Sequence, residues 1–206
     1  FEEADNIVVV TITGTLSGSY NSAEIAKKIY LEEHPDTKIH VIDSLSAGGE
    51  VDLLVRKLNQ LIAEGLDFDQ VVDAITAYQA KTKLLFVLAK VDNLVKNGRL
   101  SKLVGTVVGL LNIRMVGEAS KTGTLELLQK ARGQKKAIKA AFDELIKAGY
   151  TGGHITIAHR NNDKFIEQFS ALVREKFAQA SIEVLPTSGL CSFYAEEGGL
   201  LMGYEI

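Results

Sequence analysis

The sequence has little cysteine, no long apolar run and no excess of positive charge, and each shortage excludes a class of protein. Cys191 is the single cysteine, so no disulfide can form within the chain, and we expect a protein of the reducing cytoplasm. No apolar run approaches the roughly 20 residues that cross a bilayer, so stable membrane insertion is not expected. The 23 lysines and arginines against 26 aspartates and glutamates, a net charge of −3, argue against general nucleic-acid binding.

Residue patterns for common catalytic and cofactor chemistry are also missing. The four histidines do not form a metal set, because His154 and His159 lie at an odd spacing on one predicted strand and point to opposite faces. The stretch GTLSG at residues 14–18 places Ser17 one position late for a nucleophile elbow, and no Gly-Lys-Ser/Thr follows it as in a Walker loop. We therefore predict no metal, no cofactor and no chemistry of the protein's own.

The first part of the chain alternates apolar runs with amphipathic segments. Residues 7–10 (IVVV) are typical of a buried parallel strand, and residues 38–43 predict a second strand. Apolar residues at helical spacing predict helices over residues 23–31, 47–63 and 68–79. The order strand, helix, strand, helix, helix indicates an α/β unit with a parallel sheet.

After residue 83 the pattern changes to many short strands. Strands are predicted at residues 84–89, 113–118, 124–130, 155–159, 182–186 and 200–206, and helices at 135–148 and 164–178. Lys121-Thr122-Gly123 is a turn signal that predicts a hairpin between the second and third of these strands. We therefore expect a mixed or antiparallel six-stranded sheet with helical layers, and two domains: an α/β domain at 1–80 and an α+β domain at 81–206.

A glycine-punctuated loop, residues 11–23, joins the first strand to the first helix. Ser17 and Ser19 supply short hydroxyl donors, and Gly14 and Gly18 let a ligand approach the backbone closely. The N–H groups at a helix start carry partial positive charge and favour an anion. A serine-rich helix cap without any ligand is the alternative interpretation.

The loop also resembles a known family signature. LSGSYNSA at residues 16–23 resembles the LSGTYxSA motif of the DegV family of bacterial fatty-acid-binding proteins. Three later segments extend the resemblance along nearly the whole chain: NLVKNGRLS at 93–101 (family LxxLKKGGRIS), QKARGQKKA at 129–137 (family KxRTxKKA) and FYAEEGGL at 193–200. The resemblance implies a Rossmann-like first domain, incomplete here, followed by a domain built on a six-stranded sheet.

The resemblance implies a carrier that holds a long-chain fatty acid between two domains and presents its carboxylate to a partner kinase, which forms an acyl phosphate. Ser17, Gly18 and Arg99 are expected at the carboxylate. Gly98 can end a short helix in a left-handed conformation and so aim Arg99. Arg132 is expected to serve docking or transfer at the kinase. Beyond the bound acid no cofactor is expected, and the run at residues 103–113 would help to wall the acyl tunnel.

The last segment departs from the family pattern, which has a histidine followed by a small residue and Gly-Pro-Gly. Tyr194 stands at the histidine position, where its hydroxyl can donate a hydrogen bond to the carboxylate. Glu196-Glu197 replaces Gly-Pro, and two carboxylates there would repel an anion unless they turn outward. The chain begins at Phe1 and lacks the family's early Asp-Ser and Thr-Ser motifs, as expected if the N-terminal part is missing.

Two other functions stay open on the sequence alone. One is a small hydrolase or phosphotransferase that uses Ser17 as its nucleophile. The other is a diverged module that binds a different anion or only a protein partner, which the changes at Tyr194, Glu196 and Glu197 favour.

Overall fold

Strands and helices follow one another along the chain in nearly the order that the apolar pattern predicts. The computed structural model describes residues 4–100 and 112–206. Its strands are β1 (Asn6–Thr11), β2 (Lys38–Asp43), β3 (Thr82–Leu88), β4 (Ile113–Ala119), β5 (Leu125–Arg132), β6 (His154–His159), β7 (Ser181–Pro186) and β8 (Leu200–Glu205). Its helices are α1 (Ser19–Glu33), α2 (Gly49–Ala63), α3 (Phe68–Gln79), α4 (Asp92–Lys96), α5 (Gln134–Lys147), α6 (Asp163–Lys176) and α7 (Gly189–Ala195).

Strands β1 and β2 form a small parallel sheet, in which Asn6 pairs with Lys38 and Thr11 with Asp43. Helices α2 and α3 pack on each other beside it. One apolar cluster joins these elements, made of Ile42, Leu54, Leu58, Leu61, Val71 and Ile75. The apolar stripe that predicted α2 is thus buried at Leu54, Leu58 and Leu61, whereas its members Val55 and Ile62 are exposed.

The six remaining strands form one mixed sheet in the order β5-β4-β3-β8-β6-β7. Strands β6 and β7 pair in parallel, and the other neighbours pair antiparallel. Successive side chains of β3 point to opposite faces: Leu85 and Val87 pack with α5 and α6, whereas Phe86 and Leu88 pack with α4 and α7. The second face is the one that carries the candidate site.

Helix α2 connects the two sheets, because it packs on β1 and also on β8, β6 and β3. Its first residue, Gly49, lies directly against backbone of the six-stranded sheet. A Cβ at Gly49 would overlap the Thr156 carbonyl oxygen and come within 2.7 Å of the Gly203 amide nitrogen. The Thr82 hydroxyl of β3 adds a second link, donating to the buried Glu50 carboxylate at 2.8 Å. Because a Cβ at Gly49 would overlap the backbone of the sheet, α2 can approach the sheet this closely only with glycine at that position.

The fold class predicted from the sequence is confirmed, with two differences in the helices. Helix α1 begins at Ser19, earlier than the predicted residue 23, so the DegV-like motif already contains its first turn. Helix α7 was not predicted, because seven residues are too few for a periodic pattern. Most of the predicted tunnel wall at residues 103–113 lies outside the described residues. The domain boundary near residue 80 stays a prediction.

Within residues 4–100 and 112–206, no helix has both the length and the apolar character needed to cross a membrane.

Candidate functional site

An apolar cavity of about 90 Å³ lies where the loop after β1 meets the six-stranded sheet. Its polar lining residues are Ser17, Arg99, Cys191 and Tyr194. The rest of the wall is apolar and consists of Ile12, Leu16, Ala47, Phe86, Leu88, Leu94, Leu125, Leu190, Ala195 and Leu201. This volume holds on the order of six water-sized groups.

The loop between β1 and α1 fixes Ser17 at the start of a 15-residue helix. The Gly14 N–H donates to both Asp43 carboxylate oxygens, at 3.1 and 3.2 Å, which ties the loop to β2. The Ser17 N–H donates to the Thr13 carbonyl at 3.2 Å. The Ser17 Oγ accepts the Ser19 N–H at 3.2 Å, and its own hydroxyl proton has no acceptor among residues 4–100 and 112–206.

Helix α4 ends in a way that directs Arg99 towards this loop. Gly98 has a φ of +68°, in the left-handed region predicted for it. The N–H of Gly98 donates to the Val95 carbonyl at 3.1 Å, and that of Arg99 to the Leu94 carbonyl at 2.9 Å. This is the Schellman pattern, and it turns the chain sharply just before Arg99.

The Arg99 guanidinium contacts the peptide that leads into Ser17. Its Nε donates to the Leu16 carbonyl at 2.9 Å, and its Nη1 donates to the Asn97 carbonyl at 3.1 Å. Within the described residues these contacts occupy two of the five N–H donors of a guanidinium. Arg99 therefore anchors the loop while it brings a permanent positive charge to the cavity wall.

Helix α7 covers the cavity and carries Tyr194. The Tyr194 ring centroid lies 5.1 Å from the Arg99 guanidinium carbon, within the range of a cation–π contact. The same helix places Leu190 and Cys191 in the wall. Burial raises the pKa of the Cys191 thiol, so this side chain contributes to the wall as a neutral group.

The two glutamates that follow α7 both turn away from the cavity. The Glu196 carboxylate accepts the Asn93 N–H at 2.9 Å, in the first turn of α4. The Glu197 carboxylate accepts from the Asn161 amide at 3.1 Å and lies 3.9 Å from the Arg160 Nε. The repulsion that the sequence suggested is thus avoided, because each carboxylate has its own partner outside the cavity.

The described lining offers a hydroxyl donor and a cation to an anion but no general base. It contains no histidine, aspartate, glutamate or lysine that could accept the Ser17 proton. Arginine cannot serve as that base, since it does not lose its proton in proteins. In the part of the chain that the structure describes, no group of three or more His, Cys, Asp or Glu side chains is arranged for a metal ion.

The β4–β5 hairpin supports the Ser17 loop from the second sheet. The Thr15 hydroxyl donates to the Gly123 carbonyl at 2.6 Å. Gly123 has a φ of +79°, and a Cβ there would overlap the Thr13 Oγ1. The predicted turn at residues 121–123 is confirmed, and it also positions the loop that carries Ser17.

A sequence model of the DegV family, described as uncharacterised proteins, matches residues 1–204. The chain belongs to the DegV family. It is similar to a DegV domain-containing protein of Streptococcus pneumoniae strain R6, with 78% identity over 206 residues, which are 100% of this chain and 73% of that protein.

Two solved structures resemble this one over nearly the whole chain. The S. pneumoniae Fatty Acid Kinase (Fak) B3 protein, loaded with linoleic acid, has a TM-score of 0.98 and 78% identity and covers 100% of this chain and 73% of its own. A DegV family protein from Eubacterium eligens, loaded with heptadecanoic acid, has a TM-score of 0.94 and 41% identity over 98% of this chain and 74% of its own.

The structure brings together three of the four residues predicted at the carboxylate. Ser17, Arg99 and Tyr194 line the same cavity. Gly18 is the exposed N-cap residue of α1, next to the lining but outside it. Arg132 is exposed at the end of β5 and does not line the cavity. The roles of these residues in the DegV protein stay predictions.

Sequence reasoning identified Tyr194 but missed the other residues that α7 adds to the wall, which are Leu190, Cys191 and Ala195. Leu190 and Tyr194 stand four positions apart, so both project from one side of a helical turn. This four-residue spacing was the sequence signal for α7. A single repeat of it does not distinguish a helix from a turn.

Proposed function

We propose that this DegV protein is a carrier that binds a long-chain fatty acid with its carboxylate at Ser17 and Arg99. The observation that carries the proposal is the meeting of a hydroxyl donor and a permanent cation in the wall of an otherwise apolar cavity. A carboxylate taken out of water needs such partners. The bound acids in the similar S. pneumoniae and E. eligens proteins support the same class of ligand.

The apolar wall supplies the affinity in this proposal, and the polar groups set the orientation. Each buried methylene contributes roughly 0.8 kcal/mol, so a long acyl chain gains on the order of 10 kcal/mol before entropic costs. A neutral hydrogen bond contributes about 1 kcal/mol net, and a charged one up to ~3. The acid therefore binds through its chain, and Ser17 and Arg99 decide which end lies at the loop.

The cavity has room for the head-group end of such a ligand. About 90 Å³ holds the carboxylate and the first few methylenes. In our proposal the rest of the chain extends beyond the described lining, or displaces side chains that now close it.

We further propose that the bound carboxylate is presented to a partner kinase. The similarity to a Fatty Acid Kinase (Fak) B3 protein supports this step. Arg132 belongs to an exposed basic patch together with Lys130, Lys135 and Lys136. In an acidic chain this patch is suited to an acidic docking surface or to phosphate, and we assign it to the kinase.

Native mass spectrometry of the purified protein tests the carrier proposal. We expect a mass increase equal to one long-chain fatty acid, lost when the same sample is denatured. A protein that carries no lipid and takes up no linoleic acid when supplied would contradict the proposal. A phosphate adduct in place of a lipid would favour the diverged anion-binding module instead.

Two substitutions at Tyr194 distinguish the contribution of its ring to fatty-acid binding from that of its hydroxyl. We expect Tyr194→Ala to weaken linoleic acid binding about fivefold, because a cation–π contact contributes roughly 1 kcal/mol and holds Arg99 in place. Tyr194→Phe keeps the ring and should change the dissociation constant by less than about twofold. Equal losses in both variants, measured by fluorescent-ligand displacement, would show instead that the hydroxyl binds the carboxylate.

A further inference from the structure

Glu196 contacts both of the helices that hold Arg99 at the cavity wall. It follows directly on α7, which carries Tyr194 in contact with the Arg99 guanidinium. Its carboxylate accepts the Asn93 N–H at 2.9 Å, in the first turn of α4. The other end of α4 turns at Gly98 into Arg99. The carrier proposal assigns no role to Glu196, which does not line the cavity.

Helix α4 has no N-terminal cap of its own. Its N-cap residue is Val91, which makes no side-chain capping hydrogen bond, and the helix has only 5 residues. A helix of this length is not stable alone, so its position depends on contacts at its ends and along its buried side. The Glu196 carboxylate supplies the missing acceptor from 103 positions away, and a negative charge at a helix start is favourable.

A second hydrogen bond joins the same two helices. The Asn93 side-chain amide donates to the Phe193 carbonyl, in the last turn of α7, at 2.8 Å. Asn93 thus donates from its backbone to Glu196 and from its side chain to Phe193. The start of α4 and the end of α7 are therefore fixed to each other, and Arg99 is reached from both, through the α4 C-terminus and through the Tyr194 ring.

The backbone of Glu196 adopts a conformation that favours glycine. Its φ is +53° and its ψ is −174°. This combination is unfavourable for a residue with a Cβ, and it persists only where surrounding contacts impose it. The Glu196 N–H donates to the Ser192 carbonyl at 3.1 Å, and its carbonyl accepts the Gly199 N–H at 3.2 Å. Glutamate is thus a poor choice for this backbone, and what it adds is the carboxylate contact with α4.

We propose that Glu196 is a positioning residue for the fatty-acid carboxylate and acts through Arg99. By capping α4 it fixes the helix start, and α4 in turn fixes the Gly98 turn and the direction of Arg99. Glu196 forms no ion pair with Arg99 among residues 4–100 and 112–206, so it does not neutralise the cation. The inference rests on the proposed function for its ligand, but the position of Arg99 can be measured without one.

Isothermal titration with linoleic acid in a double-mutant cycle tests the proposal. We expect Glu196→Ala to weaken binding about fivefold, because α4 loses its cap and Arg99 its fixed direction. In the Arg99→Gln background the same substitution should change the affinity by less than about twofold, because the residue that it positions is gone. The matched control Glu197→Ala removes the neighbouring carboxylate, whose partners are Asn161 and Arg160, and should bind as the wild type does.

Proton exchange at the Arg99 Nε, followed by ¹H–¹⁵N NMR of delipidated protein, tests the proposal without a fatty acid. This N–H donates to the Leu16 carbonyl at 2.9 Å, so its exchange with water should be slow. Glu196→Ala should accelerate the exchange about threefold or more, and Glu197→Ala should not. If the wild-type protein bound no linoleic acid, the carrier proposal would fail, and this measurement would still decide whether Glu196 positions Arg99.

Three results would overturn the positioning role: an unchanged linoleic acid affinity in Glu196→Ala, an unchanged exchange rate at the Arg99 Nε, or an equal loss of affinity in the wild-type and Arg99→Gln backgrounds. The last would show that Glu196 supports the wall as a whole. If Glu196→Ala does not fold, Glu196→Gly removes the same carboxylate without the unfavourable backbone, and the same comparisons apply. Glu196→Gln keeps an acceptor oxygen and should recover most of the affinity.

Discussion

Replacing Arg99 by glutamine should weaken linoleic acid binding by roughly tenfold to a hundredfold. The substitution removes the cation from the cavity wall, and a charged hydrogen bond contributes about 1.5–3 kcal/mol. It also removes the Nε donor that holds the Leu16 carbonyl at 2.9 Å, so Ser17 loses part of its support. Isothermal titration of delipidated protein with linoleic acid measures the change directly.

Two further variants separate charge from geometry. Arg99→Lys keeps the positive charge but lacks the planar fork, so it should recover only part of the affinity. Arg174→Gln removes an equally permanent charge from the exposed end of α6 and should bind linoleic acid as the wild type does. If Arg99→Gln retained full affinity while folding normally, the carboxylate would not lie at this wall.

Replacing Gly49 by alanine should destabilise the protein by about 3 kcal/mol or more. The added Cβ would overlap the Thr156 carbonyl oxygen and lie 2.7 Å from the Gly203 amide nitrogen and 3.0 Å from the Leu201 carbonyl oxygen. These are backbone atoms of β6 and β8, so they cannot move aside as a flexible side chain does. Helix α2 would have to separate from the six-stranded sheet. Urea unfolding followed by circular dichroism measures the loss.

The chain offers a matched glycine as the control. Gly18 has a φ of −73°, and a Cβ there meets no atom within 4 Å. Gly18→Ala should therefore cost no more than about 1 kcal/mol, the usual effect of a poorer N-cap residue. Similar unfolding midpoints for Gly49→Ala and Gly18→Ala would mean that the helix–sheet contact tolerates a side chain.

Much of the fold could be predicted from patterns among residues that are close together in the sequence. The apolar stripe of α2 and the alternation along β3 depend on residues a few positions apart, so burial could be inferred without knowing the partner element. The end of α4 could also be predicted locally, because only a residue that tolerates a positive φ, such as Gly98, can end a helix in this way. Helix α7 was missed since it has too few residues for a period to be recognised.

The sequence by itself determined the order of strands and helices, the short helix that Gly98 ends and the hydroxyl-bearing loop, because each depends on near neighbours in the chain. Only the tertiary structure decided that Arg99 binds the peptide before Ser17, 83 positions away. It also decided that Glu196 caps α4 through Asn93, at a separation of 103 positions. Contacts over such distances form when packed sheets and helices bring the ends of remote segments together, and no spacing within a single segment encodes them.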